Sequence, residues 1–428
     1  MTCKRPDPAE SDIARAVERM GEGPLNESAL IEHVHPLFSR VLERPGIYLA
    51  NHSLGRPLDR TADDVRAFVD LWYSDMDDAW GAWTEEREAY RASIAALIGQ
   101  NRPDAVVPKS SAAQGLRAVL NALPAERPRV VSTLCEFDSI DFVLRTYAKK
   151  GRAEVTWVPP REEGLLHAPD IADTITDKTD LVVVSQVVFS SGQVLDGIER
   201  VIDAAHGHGA LAMLDTYHAA GAMPVGFDDL GADFAIGGNY KYTRGGPGAC
   251  WLAIADRFLR TTDDPQPDAD GLFTLDTGWF AKAEPMGFER SDEPVLAAGG
   301  DAWLEATPPV LTYYQAKAGL ELTLALGPDR IRAYSDQQQA ILREALESAG
   351  VSVRAIEPSG NFLLVPVRDG SRATRALKAE GISCDARPQP DGSHAVRFCP
   401  DVLNTEAELR EAARRAARSL TGLVAAPA

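Results

Sequence analysis

Apolar and polar positions change in blocks along most of this chain. Short unbroken apolar runs, RVVSTL (129–134), EVTWV (154–158), LVVVSQVV (181–188), ALAML (210–214), DFAIG (233–237) and ACWLAIA (249–255), are separated by stretches such as GIERVIDAAHGHG (197–209) with helical spacing. Runs of this length bounded by turn signals read as strands buried on both faces. Their alternation with helices predicts an α/β fold with a mostly parallel sheet. Upstream, IARAVERMGE (13–22) is helical, IYLANHSLGRPLD (47–59) is a short strand breaking into a turn, and two helices are expected between Arg60 and Gly99. VVPKSSAAQGLRAVLNAL (106–123) runs from a strand through small residues into an amphipathic helix. Downstream of Pro308 a long amphipathic helix leads to a smaller layer: strand VSVRA (351–355), strand NFLLVPV (361–367), helix SRATRALKAEG (371–381), strand AVRF (395–398) and a helix opened by a capping box at Thr405 and Glu408. The predicted division is an N-terminal segment, 1–59; a large domain, 60–307; and a small C-terminal domain, 308–428.

Composition narrows the function classes. A formal net charge of -19 with no basic stripe argues against nucleic-acid or anionic-membrane partners. No apolar run is long enough to span a bilayer and the N-terminus is polar, so a cytoplasmic protein is expected. The 5 cysteines (Cys3, Cys135, Cys250, Cys384, Cys399) are odd in number and contain no CxxC pair, which predicts reduced thiols and no zinc site.

The densest chemistry lies in 210–249, ALAMLDTYHAAGAMPVGFDDLGADFAIGGNYKYTRGGPGA. Asp215 closes one apolar run, His218 follows three residues later, and Tyr240-Lys241 stands just past another run, before a glycine-rich turn. A lysine beyond a buried strand is partly desolvated, which lowers its pKa and lets its amine form a Schiff base with an aldehyde. An acid at an earlier strand end suits a protonated pyridine nitrogen, so the candidate cofactor is pyridoxal 5'-phosphate. The alternative is a helix-capping Asp215 and a surface lysine. Small residues at 109–113, including Ser111 and Ala112, form a candidate phosphate cup at a helix N-terminus, although such starts are commonly plain caps.

D-x-x-H, a buried strand, then Y-K-Y-x-x-x-G-x-G resembles the cofactor-anchoring core of the kynureninase family, in the class V aminotransferase superfamily. GISCDARPQPDGSHAVRFCPDVLNT (381–405) resembles that family's C-terminal pattern. The resemblance implies fold type I, with a mostly parallel seven-stranded sheet in the large domain and a small C-terminal α/β domain. It implies Lys241 as the Schiff-base lysine, Asp215 on the pyridinium, and His218, Tyr240, Ser111, Ala112, Phe137, Ser185, Trp279 and Thr307 as cofactor contacts. Lys241, Tyr240 and Asp215 are the implied catalytic residues, with Tyr240 the general acid/base. Arg397 falls on the arginine that grips the substrate carboxylate, a task for a planar fork of donors. Ser53, in a turn like the family's N-S-L-G, and Lys282 are further implied substrate residues. Gly278-Trp279-Phe280 resembles a segment that reaches a neighbour's site, which implies a homodimer.

Four positions depart from the family pattern. His52 replaces the turn's asparagine, Phe137-Asp138-Ser139-Ile140 lacks the aspartate of F-P-S/T-D, Lys282 replaces a histidine, and Thr307 replaces an asparagine. The last two belong to the substrate pocket of relatives. The implied reaction is hydrolytic Cβ–Cγ cleavage of kynurenine or a substituted kynurenine to an anthranilate and alanine. Class V aminotransferases, epimerases and side-chain oxidative decarboxylases use the same Lys, Asp and Arg and stay open. A cysteine desulfurase carries a sulfur-accepting cysteine near the place of Pro390, where this chain has none. A non-catalytic cofactor-binding sensor is disfavoured, because no DNA-binding module adjoins the domain.

Overall fold

The computed structural model describes residues 11–259, 272–287, 290, 292, 294–389 and 392–424. After a two-residue strand, β1 (Ile47–Tyr48), come the strands of the main sheet: β2 (Val106–Lys109), β3 (Arg129–Thr133), β4 (Glu154–Val158), β5 (Leu181–Ser185), β6 (Leu211–Asp215), β7 (Phe234–Gly238) and β8 (Cys250–Ile254). Their order is β2-β8-β7-β6-β5-β3-β4, and only β8 runs against its neighbours. The sheet is therefore mostly parallel, as the alternation of runs predicts, and seven-stranded, as the family resemblance implies. Successive side chains point to opposite faces, and both faces are covered. Val182, Val184, Leu214 and Ala235 pack into one buried cluster, while Val183, Met213, Phe234 and Ile236 pack into the other. This explains why the strands read as continuous apolar runs.

From β3 the chain passes to β4 on one side, then returns to β5, β6 and β7 on the other. Strand order thus reverses between β3 and β5, and ligands of open α/β sheets bind beyond the strand ends at such a reversal. Phe137 follows β3 there, and Ser185 and Asp215 close β5 and β6.

A second layer contains β9 (Leu363–Val367), β10 (Ile382–Ser383), β11 (Asp385–Pro388) and β12 (His394–Phe398), with β11-β12-β9 an antiparallel sheet. β1 pairs with β10, and Cys399 N donates to Leu49 O at 2.8 Å, so the N-terminal segment is stitched to this layer. Ile47, Leu49, Val365, Val396, Phe398 and Leu409 share its core. The helix Glu406–Ser419 begins with the expected capping box, Thr405 with Glu408.

The expected strand VSVRA does not form: only Arg354 bridges to Leu364. The chain just beyond it is drawn elsewhere, Ser359 bridging to Gln193 and Val194 N donating to Pro358 O at 3.1 Å, so a ladder on β9 cannot extend. Cys135, Cys250 and Cys399 are free and buried and Cys384 is free and half-buried, as expected; Cys3 and the linker-like stretch 261–270 lie outside the described residues.

Candidate active site

Lys241 follows β7 and is buried, with Nζ 2.6 Å from His218 Nε2. Three rings surround it: Phe137 and Tyr217, each with its centroid 5.5 Å from Nζ, and Tyr240 at 5.6 Å. Burial pulls the Lys241 ammonium down to about 7, against the opposing pull of the Asp215 carboxylate. An amine so placed is substantially unprotonated near neutral pH, the state required of a nucleophile. His218 stays neutral, held well below its ordinary value by burial and then by Lys241, and its Nδ1 lies 3.2 Å from Tyr242 Oη. Asp215 ends β6; burial pushes its carboxyl up, while the Tyr217 N–H, donating to Oδ1 at 2.9 Å, and Lys241 act the other way. Burial likewise pushes the Tyr240 phenol up to about 12, so it holds its proton.

A second cluster meets this one from the small sheet. Asp385 and Arg397 are direct cross-strand partners of β11 and β12, a position where opposite charges stabilise the pair. Arg397 Nε donates to Asp385 Oδ1 at 2.9 Å, Nη2 to Oδ2 at 2.5 Å, and Nη1 to Phe189 O at 2.5 Å. His52 Nε2 lies 2.8 Å from the same Asp385 Oδ1. Against the effect of burial, the His52 and Arg397 hydrogen bonds hold Asp385 well below the usual carboxylate range. Burial, then Arg397, pulls the His52 imidazole to about 4. Phe362 joins the clusters: its ring is 5.1 Å from His52, 5.9 Å from His218 and 5.3 Å from the Arg397 guanidinium carbon. Gly55 closes the third side, its N–H donating to Tyr240 O at 2.8 Å. A Cβ there would lie 2.0 Å from Lys241 O, so only glycine lets the 51–55 turn dock on the lysine turn.

Lys241, Asp215, His218, Tyr240 and Phe137 thus converge, with Arg397 acting electrostatically on Lys241. Ser185 pairs with Asp215 in the β5–β6 ladder, and its hydroxyl meets Glu136 rather than solvent. Ser111 caps the helix Ala112–Leu120, its Oγ accepting from Gln114 N at 3.2 Å. Ser53 is exposed, and the ring that enters the cluster from its turn is that of His52. Trp279 and Thr307 lie on the surface, in segments joined where Phe280 N donates to Glu305 O at 3.3 Å, and Lys282 Nζ donates to Gly287 O at 3.2 Å. Sequence reasoning missed Glu136, Asp385, Tyr217 and Phe362. Asp385 was visible inside C-D-x-R, but its pairing needs the β11–β12 register.

The donor set fits pyridoxal 5'-phosphate: a desolvated lysine for the aldehyde, a buried carboxylate for the ring nitrogen, an aromatic ring beside them, and a helix N-terminus with small residues for the phosphate. Sheet order and site together define a pyridoxal-phosphate enzyme of fold type I. The chain belongs to the aminotransferase class-V family, which matches residues 72–411. It is 26% identical over 382 residues to the kynureninase of Geobacillus thermodenitrificans, covering 85% of each chain. Among solved structures it is similar to a C-DES variant with glycine covalently linked to the PLP cofactor (TM-score 0.76, 19% identity, covering 90% of this chain and 98% of that one). It is also similar to the apo cysteine desulfurase of Thermococcus onnurineus NA1 (TM-score 0.77, 19% identity, 92% and 98%).

Proposed function

We propose that this enzyme holds an amino acid by its α-carboxylate and hydrolyses the Cβ–Cγ bond of kynurenine or a substituted kynurenine, releasing an anthranilate and alanine. What supports the carboxylate hold most is Arg397, locked on Asp385 and electrostatically coupled to Lys241. The choice of kynurenine rests on the Y-K-Y and C-D-x-R patterns and on the similarity to a kynureninase over 85% of the chain. The cofactor, when bound, supplies an electron sink for charge developing on the substrate. Lys241 is assigned to hold the cofactor's aldehyde carbon and, once released, to move the proton at the substrate α-carbon. Asp215 would keep the ring nitrogen protonated, Phe137 and His218 would contact the ring, and Ser111 and Ala112 would receive the phosphate. Ser185, held by Glu136, would border the ring from the end of β5. Arg397 takes the carboxylate through the guanidinium edge that Asp385 leaves free. Tyr240, a protonated phenol, gives and takes the proton where water adds to the side-chain carbonyl. Ser53 and Lys282 are assigned to the substrate's surroundings.

Purified protein incubated with kynurenine and with 3-hydroxykynurenine is expected to yield alanine and the matching anthranilate in equal amounts. Transfer of the amino group to a keto acid, with no alanine, favours the class V aminotransferase alternative instead. Sulfur release from cysteine is disfavoured, since proline stands at 390, about where a cysteine desulfurase carries its sulfur-accepting cysteine.

The active unit is proposed to be a homodimer. The helix Arg60–Asp75 buries none of its residues, and Trp72, Tyr73 and Met76 are 53%, 82% and 61% exposed, as is Trp279 at 40%. Apolar surface of this extent marks an interface, and the twofold copy would bring Trp279 and Thr307 to its neighbour's site. Sedimentation velocity is expected to give a dimer at assay concentrations; a fully active monomer contradicts the shared site.

A further inference from the structure

Glu136 is a second buried acid at the strand ends, and the proposed chemistry gives it no task. It stands between β3 and Phe137, 4% exposed. Its Oε1 accepts from Thr133 Oγ1 at 2.7 Å and from Ser185 N at 3.3 Å, and its Oε2 lies 2.5 Å from Ser185 Oγ. Ser185 is in turn the ladder partner of Asp215, so two buried carboxylates flank one serine. Their surroundings differ in charge. Asp215 has the Tyr217 N–H and the attraction of Lys241. The groups acting most strongly on Glu136 are Ser185, Thr133 and Asp215, none of them cationic and the last repulsive. Cys135, on the same turn, is pushed up to about 12 by burial and then by Glu136, so it is a neutral neighbour. Two desolvated carboxylates this close do not both ionise readily, and the better anion is the one drawn by Lys241 whenever that amine is protonated and, in the holoenzyme, by the ring nitrogen assigned to it.

We propose that Glu136 holds the proton of this pair and Asp215 the negative charge, which makes Glu136 a positioning residue that fixes Ser185 and confines anionic charge to the end of β6. Its consequence for catalysis rests on the assignment of Asp215 to the cofactor's ring nitrogen, because a charge shared with Glu136 would weaken that contact. The protonation itself does not depend on the substrate.

Burial pushes the Glu136 carboxyl from 4.5 up to about 7, the Ser185 and Thr133 hydrogen bonds acting the other way. A group whose folded value is raised contributes stability that is present below the unfolded value and is lost as pH rises through the folded one. Melting of the holoenzyme is therefore compared for wild type and Glu136→Gln across that window. The variant, which keeps the shape and lacks the titration, is expected to gain in melting temperature relative to wild type as pH rises from 4.5 to about 7. Infrared difference spectra in light and heavy water are expected to show a protonated-carboxyl band near neutral pH that Glu136→Gln removes. Parallel melting curves together with no lost band would mean an ionised Glu136 and overturn the proposal. If Glu136→Gln does not fold, Ser185→Ala decides: the band must shift when its hydrogen-bond partner is removed, and an unshifted or absent band overturns the proposal. Neither readout uses turnover, so failure here is separable from failure of the kynurenine assay.

Discussion

Lys241→Ala is expected to give a folded protein that is colourless after dialysis and whose turnover falls by about 10⁴-fold or more, the upper range for loss of a positioned proton-transfer group. Two proposed functions go at once, the covalent hold on the cofactor and the base at the substrate α-carbon. Folding should not suffer. The Lys241 ammonium is buried, its nearest nitrogen partner is a histidine kept neutral, and burial already drives it toward the uncharged form. Removing Lys241 relieves a desolvated ammonium but takes from Asp215 the charge that attracts it, leaving that carboxylate the Tyr217 N–H, so the two effects oppose each other. The variant's melting temperature without cofactor is therefore expected to lie close to that of wild-type apoprotein. A large drop in melting temperature would mean that Lys241 is chiefly structural. Wild-type colour in the alanine variant would exclude it as the point of attachment.

The second large effect is expected at Arg397. Its guanidinium makes three contacts inside the protein, two to Asp385 and one to Phe189 O. These fix the plane of the fork, so the remaining edge is presented in one orientation to an incoming carboxylate. Lysine has the charge but one nitrogen, and it cannot satisfy Asp385 and a substrate together. Arg397→Lys is expected to lower kcat/KM by roughly 2 to 3 kcal/mol, on the scale of desolvated hydrogen bonds to charged groups. The loss should be uniform across amino-acid substrates that differ only in their side chains, because all share the α-carboxylate. Steady-state kinetics on kynurenine and on ring-substituted analogues checks this. A loss confined to one substrate would place Arg397 at the side-chain end of the pocket.

The large sheet was legible because each of its strands is an apolar run between turn signals, and burial on both faces leaves such a run little alternative. Lys241 and Asp215 were legible for the same reason: a charged residue just past an apolar run sits at a strand end, where the sheet exposes chemistry. The small layer was read less well. VSVRA has β-branched residues in alternation, yet Ser359 and Gly360 are engaged by the 192–194 loop, a tertiary contact invisible in local sequence. Conversely, Asp385–Pro388 contains proline and reads as a loop, but it pairs along β12 and so brings Asp385 opposite Arg397. His52 looked like an ordinary turn residue. Its place beside Asp385 follows from β1 pairing with β10 across more than 300 positions of sequence, a register that periodicity does not encode. Glu136 stood next to a residue singled out for its ring. Nothing local distinguishes a buried acid held by Ser185 from a solvated one after a strand.

Pyridoxal 5'-phosphate is proposed to be carried by Lys241. Reduction of the holoenzyme with borohydride, followed by digestion and mass mapping, tests it directly. The chain offers a built-in rival in Lys109, which is also buried, stands beside the proposed phosphate cup and has its ammonium pulled down by burial. A single pyridoxyl adduct is expected on the peptide containing Lys241. An adduct on Lys109, or an unmodified Lys241 in protein that bound cofactor before reduction, would contradict it.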